Sequence, residues 1–278
     1  ALSFTQEVSF SFDYDREPAY LNGGDQLNGE WHRWIDTFTD VTSVLPDFSF
    51  VSAPQPIISD LEILDNGDMA IAVMDRFAHQ AATENLTAQV NSDSLVSAIS
   101  AGDLLYAQRD MSGHYSLGNS SWTDPGVPSP VPAMYPGFLD DDGPNGTGES
   151  FWGDYYVIEL AMSDEGHYET ATGGLAYQPG SGELAATVFD PLSFFSQGMR
   201  YFDLTTGGFT RNYRVLETDF ASPAGGGKAS SLGDPELICG VPPLQLGNYA
   251  WIDSDSDGIQ DPCEEPLPDL LVRLFDET

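Results

Sequence analysis

With 278 residues, 41% of them hydrophobic, the chain is long enough to bury the core of one large domain or two ordinary ones. Forty-four acidic side chains against nine basic ones set a net charge of −35, which repels nucleic acid and anionic lipid and favours cations and salt-rich surroundings. Nucleic-acid binding is thereby excluded, and no run of about 18 apolar residues is present to cross a membrane as a helix.

Ala1 to Gln6 has neither the basic nor the apolar region of a signal peptide and reads as the start of a mature or trimmed chain. Val8, Phe10, Phe12 and Tyr14 then share one face, which predicts a strand. Gly23-Gly24 and Asn28-Gly29 punctuate the sequence before the aromatic stretch Trp31 to Phe38, and Ala53-Pro-Gln-Pro56 makes a stiff joint. The clearest hairpin follows: Ile58 to Leu64, a turn at Asp65-Asn-Gly-Asp68, and a return over Met69 to Met74. Asn-Gly between apolar runs favours a tight primed turn because both central residues tolerate positive φ.

A helix is predicted over Ala81 to Ile99, then a strand from Gly102 to Gln108. Residues 111–150 are rich in proline and glycine, the mark of a long surface loop of the kind that often carries function. Its tip, Asp140 to Glu149, is acidic; the spacing fits no standard calcium loop, and a solvated turn is expected there. Sequons at Asn85, Asn119 and Asn145 matter only where the source glycosylates such sites.

Strands resume at Tyr155 to Leu160. Leu175 to Gln178, Glu183 to Phe189, Met199 to Leu204 and Thr210 to Leu216 predict a four-stranded meander, the unit from which propeller blades are built. One internal echo points to repetition. Ser59-Asp-Leu-Glu-Ile-Leu64 matches Gly233-Asp-Pro-Glu-Leu-Ile238, and Gly174-Leu-Ala-Tyr177 takes the corresponding place between them without the acids. The predicted fold class is mostly β: a propeller-like or multi-sheet β domain over residues 1–240, with a long insertion near 111–150, followed by the first strands of a β-sandwich over 241–278.

After Val241-Pro-Pro-Leu244 the sequence takes on a different character. Leu246 to Asp253 reads as a strand entering the loop Asp253-Ser-Asp-Ser-Asp-Gly-Ile-Gln-Asp-Pro-Cys-Glu264, which places carboxylates at positions 1, 3, 5, 9 and 12 and glycine at 6. Such a loop suits a calcium ion. Asp253, Asp255 and Asp257 supply single oxygens, Ile259 its backbone carbonyl, Asp261 the ninth position, and Glu264 two oxygens. Cys239 and Cys263 flank the boundary. They read either as a disulfide, worth about 3 kcal/mol in the chain-entropy model for a loop of roughly this size, or as two buried thiols.

The segments Leu246 to Asp253 and Pro266 to Phe275, joined by the calcium loop, closely resemble the opening of SdrD B-like repeats. These are prealbumin-like β-sandwich domains of large bacterial surface proteins, related to the collagen-adhesin B type. Ile58 to Leu64, Asp68 to Gln80, Gly173 to Leu184 and Gly227 to Asp234 resemble the propeller-like region that precedes such repeats. The resemblance implies an extracellular, structural or adhesive protein and carries over no catalytic residue. A full B-type sandwich needs about 100 residues, and only its first two strands fall in this sequence. No lysine follows Lys228, so the Lys–Asn crosslink of some B-type domains cannot form within the last segment.

Catalytic signatures are sparse. His32, His79, His114 and His167 have no metal-ligand spacing, and no nucleophile elbow, phosphate loop or dinucleotide fingerprint occurs. One carboxylate group stands out: Asp60, Glu62, Asp234 and Glu236 converge if the echoed strands line a channel, with Asp75, Arg76 and His79 nearby. Paired carboxylates hydrolyse glycosides; they also cap strands or hold ions, and the structural role is the expected one. Trp122, Tyr135, Trp152 and Tyr155 could stack on sugars, with core packing as the default.

The expected function is a non-enzymatic, calcium-stabilised extracellular structural or adhesive protein; a second reading has the incomplete sandwich and β-rich edges join neighbouring subunits into a filament or sheath by strand exchange. The alternative is a secreted polysaccharide-binding or polysaccharide-active propeller. The expected partners are therefore other copies of the same protein, or an extracellular polysaccharide or surface ligand.

Overall fold

Asn66 and Gly67 reverse the backbone, but with Gly67 alone of the two at positive φ (+83°) and so not as the expected primed turn, in the computed structural model, which describes residues 6–17, 19, 21–22, 25–26, 29–34, 43–44, 51–81, 85–86, 95–118, 122, 143–146, 148, 150–157, 166–217, 231–237 and 252. In sequence order its strands are β1 (Leu21–Asn22), β2 (Asp25–Gln26), β3 (Ser43–Val44), β4 (Val51–Ser52), β5 (Pro56–Ile63), β6 (Met69–Asp75), β7 (Asn85–Leu86), β8 (Leu95–Val96), β9 (Asp103–Arg109), β10 (Tyr115–Leu117), β11 (Tyr156–Val157), β12 (Gly166–His167), β13 (Ala171–Tyr177), β14 (Glu183–Phe189), β15 (Ser196–Asp203) and β16 (Phe209–Glu217). Among the described residues there are also two helices, α1 (Arg76–Ala81) and the single turn α2 (Gly143–Gly146).

The fold is mostly β and multi-sheet. Two four-stranded antiparallel sheets dominate, ordered β5-β6-β9-β10 and β13-β14-β15-β16, each a sequential meander. A third follows the order β11-β12-β1-β2, and β3-β4 and β7-β8 pair separately. The described strands do not close into a barrel or a ring of blades.

The two meanders are held face to face by one apolar layer. Leu64, Ala70, Ala72, Leu104 and Tyr106 from the first meet Ala171, Leu175, Tyr177, Leu184, Ala186 and Phe202 from the second. Phe151 fills the space between, edge-on to Phe202 at 5.3 Å and to Tyr106 at 6.2 Å. Alanines at four of these positions let the sheets approach while the rings and leucines fill the volume. Burial of each large side group stabilises the fold by about 1.5–3 kcal/mol.

Every residue of β6 except Met74 is buried, because the other face of the first meander is covered too. Met69, Ile71, Val73, Leu105 and Ala107 lie under Tyr14 and Trp31, with Phe10 and Phe12 against them. A strand covered on both sides reads as a continuous apolar run, as Met69-Ala-Ile-Ala-Val does.

Three expectations are corrected here. Residues 8–14 alternate between inward and outward side chains as predicted, yet they form no strand; the nearest ladder contact is a single bridge between Asp15 and Glu30. Burial on one side imposes a period of two without requiring a neighbouring strand. The helix expected over Ala81–Ile99 is α1, which lies earlier. Asp75 Oδ1 accepts the Phe77 N–H at 2.9 Å and so caps the helix at its start, and Asn85–Leu86 then pairs with Leu95–Val96. The loop predicted over 111–150 begins with β10, which pairs with β9 across a turn where Asp110 Oδ1 accepts the N–H groups of Ser112 and His114.

The protein divides into two compact units, Ala1–Leu237 and Ile238–Thr278. Within the second, Ile252 alone is described, so the calcium-loop ligands Asp253, Asp255, Asp257, Ile259, Asp261 and Glu264, and both Cys239 and Cys263, lie outside the described residues.

Candidate functional site

The echo read from the sequence becomes a physical seam. β5 lies along β13, and its side chains engage alternate backbone groups of that strand. Ser59 Oγ donates to the Gly173 carbonyl at 2.7 Å, Asp60 Oδ2 accepts the Leu175 N–H at 2.7 Å, and Glu62 Oε1 accepts the Tyr177 N–H at 3.2 Å. Just beyond, Asp65 Oδ2 accepts the Gly180 N–H at 2.7 Å. The first position of the β13 sheet would otherwise present a row of unmet donors and acceptors. Here three carboxylates and a hydroxyl meet them in place of another strand.

The third echo segment closes on the same strand. A Cβ on Gly174 would sit 2.5 Å from the Gly233 carbonyl oxygen and 2.7 Å from Pro235 Cδ, so glycine permits the close passage of residues 233–235. This approach brings Asp60, Glu62, Asp234 and Glu236 together, as the sequence suggested.

Their electrostatics follow from the crowding. Glu62 is held above the usual carboxylate range, first by partial burial; the Tyr177 N–H opposes this, while the charges of Asp60, Asp234 and Glu236 add to it. Asp234 is also raised, by loss of surrounding water and then by its hydrogen bond to Asp60 and the charges of Asp60 and Glu236. Among the described residues no group of three or more His, Cys, Asp or Glu side chains is arranged to hold a metal ion.

Asp75, Arg76 and His79 belong to a different neighbourhood. Asp75 Oδ1 accepts the Gln55 N–H at 2.9 Å as well as that of Phe77, and the Arg16 guanidinium lies 4.0 Å from Oδ2. Burial raises the Asp75 carboxyl and Arg16 counteracts it. Arg76 Nη1 donates to Gln55 Oε1 at 2.5 Å, and His79 Nδ1 donates to the Asp75 carbonyl at 2.8 Å.

Two of the aromatics considered for sugar stacking, Trp122 and Trp152, are engaged within the fold. Trp122 lies 4.5 Å from the Tyr106 ring and 5.3 Å from that of Phe151, and Trp152 Nε1 donates to the Thr206 carbonyl at 2.9 Å. The Tyr155 carbonyl accepts from Arg200. Tyr135 and the acidic tip Asp140–Asp142 lie outside the described residues.

A buried polar group carries no signal in the sequence. Asp154 and Glu169 hydrogen-bond each other beside Arg200, with Asp103 near enough to repel Asp154. Arg200 Nη1 donates to the carbonyls of Gly153 at 2.5 Å and Tyr155 at 2.7 Å, and its Nε donates to Asn212 Oδ1 at 2.8 Å. Burial drives Asp154 up to about 7, against the opposing pull of Glu169 and Arg200, and brings Arg200 down to about 10. Tyr14 donates its hydroxyl to Asp103. Separately, His167 sets Nε2 3.2 Å from Asp190 Oδ2 and donates from Nδ1 to the Ala19 carbonyl at 2.5 Å. These residues come singly from distant segments, and no spacing in the sequence links them.

No family model matches this protein, and no solved structure matches it. Among curated proteins it is similar to colossin-B of Dictyostelium discoideum, 28% identical over 252 residues, which is 89% of this chain and 6% of that protein. It is also similar to colossin-A of the same organism, 25% identical over 276 residues, 98% of this chain and 2% of that protein. It thus spans a small fraction of the length of these curated relatives.

Proposed function

We propose that this protein is a non-catalytic module of a large extracellular scaffold, a multi-sheet β unit followed by the opening of a calcium-clamped B-type sandwich repeat. The observation that supports it best is the use made of Asp60 and Glu62. The carboxylates that a glycosidase would direct at a sugar are here bound to the backbone N–H groups of Leu175 and Tyr177, so they fasten one sheet to the next. The two colossin matches agree with a modular reading, since each takes in most of this sequence and little of its relative. The surface and adhesive role follows from the resemblance of residues 246–278 to SdrD B-like repeats.

In this reading Asp253, Asp255, Asp257, the Ile259 carbonyl, Asp261 and Glu264 hold a calcium ion that neutralises their mutual repulsion and adds its binding energy to the folded form. A bond between Cys239 and Cys263 would reinforce the same loop. A scaffold of this kind is suited to self-association into a filament or sheath.

Chelation tests the reading. With calcium removed, the melting temperature falls and the residues beyond Leu237 become open to protease. A melting temperature and digestion pattern indifferent to chelator would overturn the calcium clamp.

A further inference from the structure

We infer that Arg16, Trp31 and Gln55 enclose a site for one small monovalent anion of halide size, where the N-terminal segment meets residues 54–55 and the end of β6. The inference goes beyond the scaffold reading and does not depend on it. Arg16 is 1% exposed, yet its Nε and Nη1 have no hydrogen-bond partner. Trp31 Nε1 and Gln55 Nε2 are buried and unmet as well. Buried polar groups are almost always hydrogen-bonded, and an unmet one costs about 1–3 kcal/mol. The four atoms belong to one neighbourhood. The Arg16 guanidinium lies 5.0 Å over the Trp31 ring, and its Nη2 is 4.0 Å from Asp75 Oδ2. Asp75 Oδ1 in turn accepts the Gln55 backbone N–H at 2.9 Å. All four are donors, so whatever answers them must accept. His32 Nε2 and His79 Nε2 are unmet too; a ring nitrogen can donate or accept, so neither decides the sign.

Charge decides between an anion and water. Among the described residues Arg16 has one carboxylate within 4.0 Å, that of Asp75, and Arg76 has none. Asp15 and Glu17, on either side of Arg16 in sequence, come within that distance of neither guanidinium. Asp75 itself is committed, since Oδ1 holds the N–H groups of Gln55 and Phe77. Two guanidinium groups thus stand against one carboxylate, which leaves one positive charge in excess in a protein of net −35. Water would meet the donors and leave that charge; a monovalent anion meets both. A larger or divalent anion would lose more of its own hydration on entering so enclosed a place. The backbone is consistent with a held geometry. Glu17 has φ of +68°, and its N–H donates to Asp15 Oδ1 at 3.0 Å. That strained turn leaves Asp15 exposed and sends the arginine between them inward, against what solvation alone would choose.

Thermal melts of the whole 278-residue protein read the site, with sodium and calcium fixed and chloride exchanged for gluconate. The melting temperature rises with chloride and saturates, and bromide replaces chloride. Arg16→Met abolishes the rise. Trp31→Phe keeps an aromatic ring and loses the N–H, and it moves half-saturation about tenfold higher in chloride. Circular dichroism checks that each variant is folded. Where neither folds, crystals of the parent protein grown in bromide decide, through an anomalous peak within hydrogen-bond reach of Arg16 Nε. A melting temperature indifferent to chloride, a rise that both folded variants retain unchanged, or bromide crystals without a peak at Arg16 overturns the inference.

Discussion

Asp60 Oδ2 accepts the backbone N–H of Leu175 at 2.7 Å across 115 residues of sequence. Asp60→Ala leaves that buried donor without a partner and costs about 1–3 kcal/mol. Asp60→Asn retains an acceptor oxygen and removes a charge facing Asp234, so it costs less than the alanine variant. Urea midpoints of the two variants against the parent protein give the order; equal losses would mean that the hydrogen bond is not what matters at this position.

The Asp154–Glu169 pair predicts an unusual pH dependence. Asp154 is raised from its ordinary 3.8 to about 7 in the fold. Between those values the folded protein holds a proton that the unfolded one has released, so this site's stabilisation is full below about 4 and is lost as pH rises through about 7. Asp154→Asn, which imitates the protonated carboxyl, flattens the fall in melting temperature between about pH 4 and about pH 7. An unchanged slope in the variant would place the proton elsewhere.

Gly173 has φ of +96°, and a Cβ there would lie 2.6 Å from Ser59 Oγ and 2.7 Å from Met74 Cβ. Gly180 has a similar φ of +79° but opens onto empty space. Gly180→Ala therefore carries backbone strain alone, about 1 kcal/mol, whereas Gly173→Ala adds overpacking worth about 1–3 kcal/mol more. Thermal melts of the two variants separate the contributions.

For the calcium loop, Asp255→Asn and Asp257→Asn each remove a charged ligand and weaken calcium binding measured by isothermal titration. With calcium at about a hundredfold excess over its Kd, the parent protein gains about 2.7 kcal/mol. The doubly substituted variant shows little calcium-dependent shift in melting temperature.

The hairpin at Asn66-Gly67 and the second meander were legible because the apolar runs and turn residues agree at each level. The alternation of residues 8–14 was equally clear, but period-two burial against the first meander does not specify a backbone partner. α1 was displaced from its expected place because one capping carboxylate, Asp75, set its start more firmly than the alanines after it. The convergence of Asp60, Glu62, Asp234 and Glu236 could be read from the acidic echo. Their partners could not, since the N–H groups of Leu175 and Tyr177 carry no side-chain signature. Asp154, Glu169 and Arg200 were invisible for another reason: each is a lone charged residue in its own segment, and only the packing of the sheets makes them neighbours.

The seam between β5 and β13 also bears on how the protein is made. Synthesis runs from the N-terminus, so the β5–β6 hairpin emerges roughly a hundred residues ahead of the strand that Asp60 and Glu62 will fasten. During that interval both side chains stand hydrated beside Ile58, Leu61 and Ile63, and their charge keeps the young hairpin from joining a neighbouring nascent polypeptide. When β13 arrives, the same carboxylates turn from guard to fastening. An uncharged latch would leave the unfinished unit prone to aggregate.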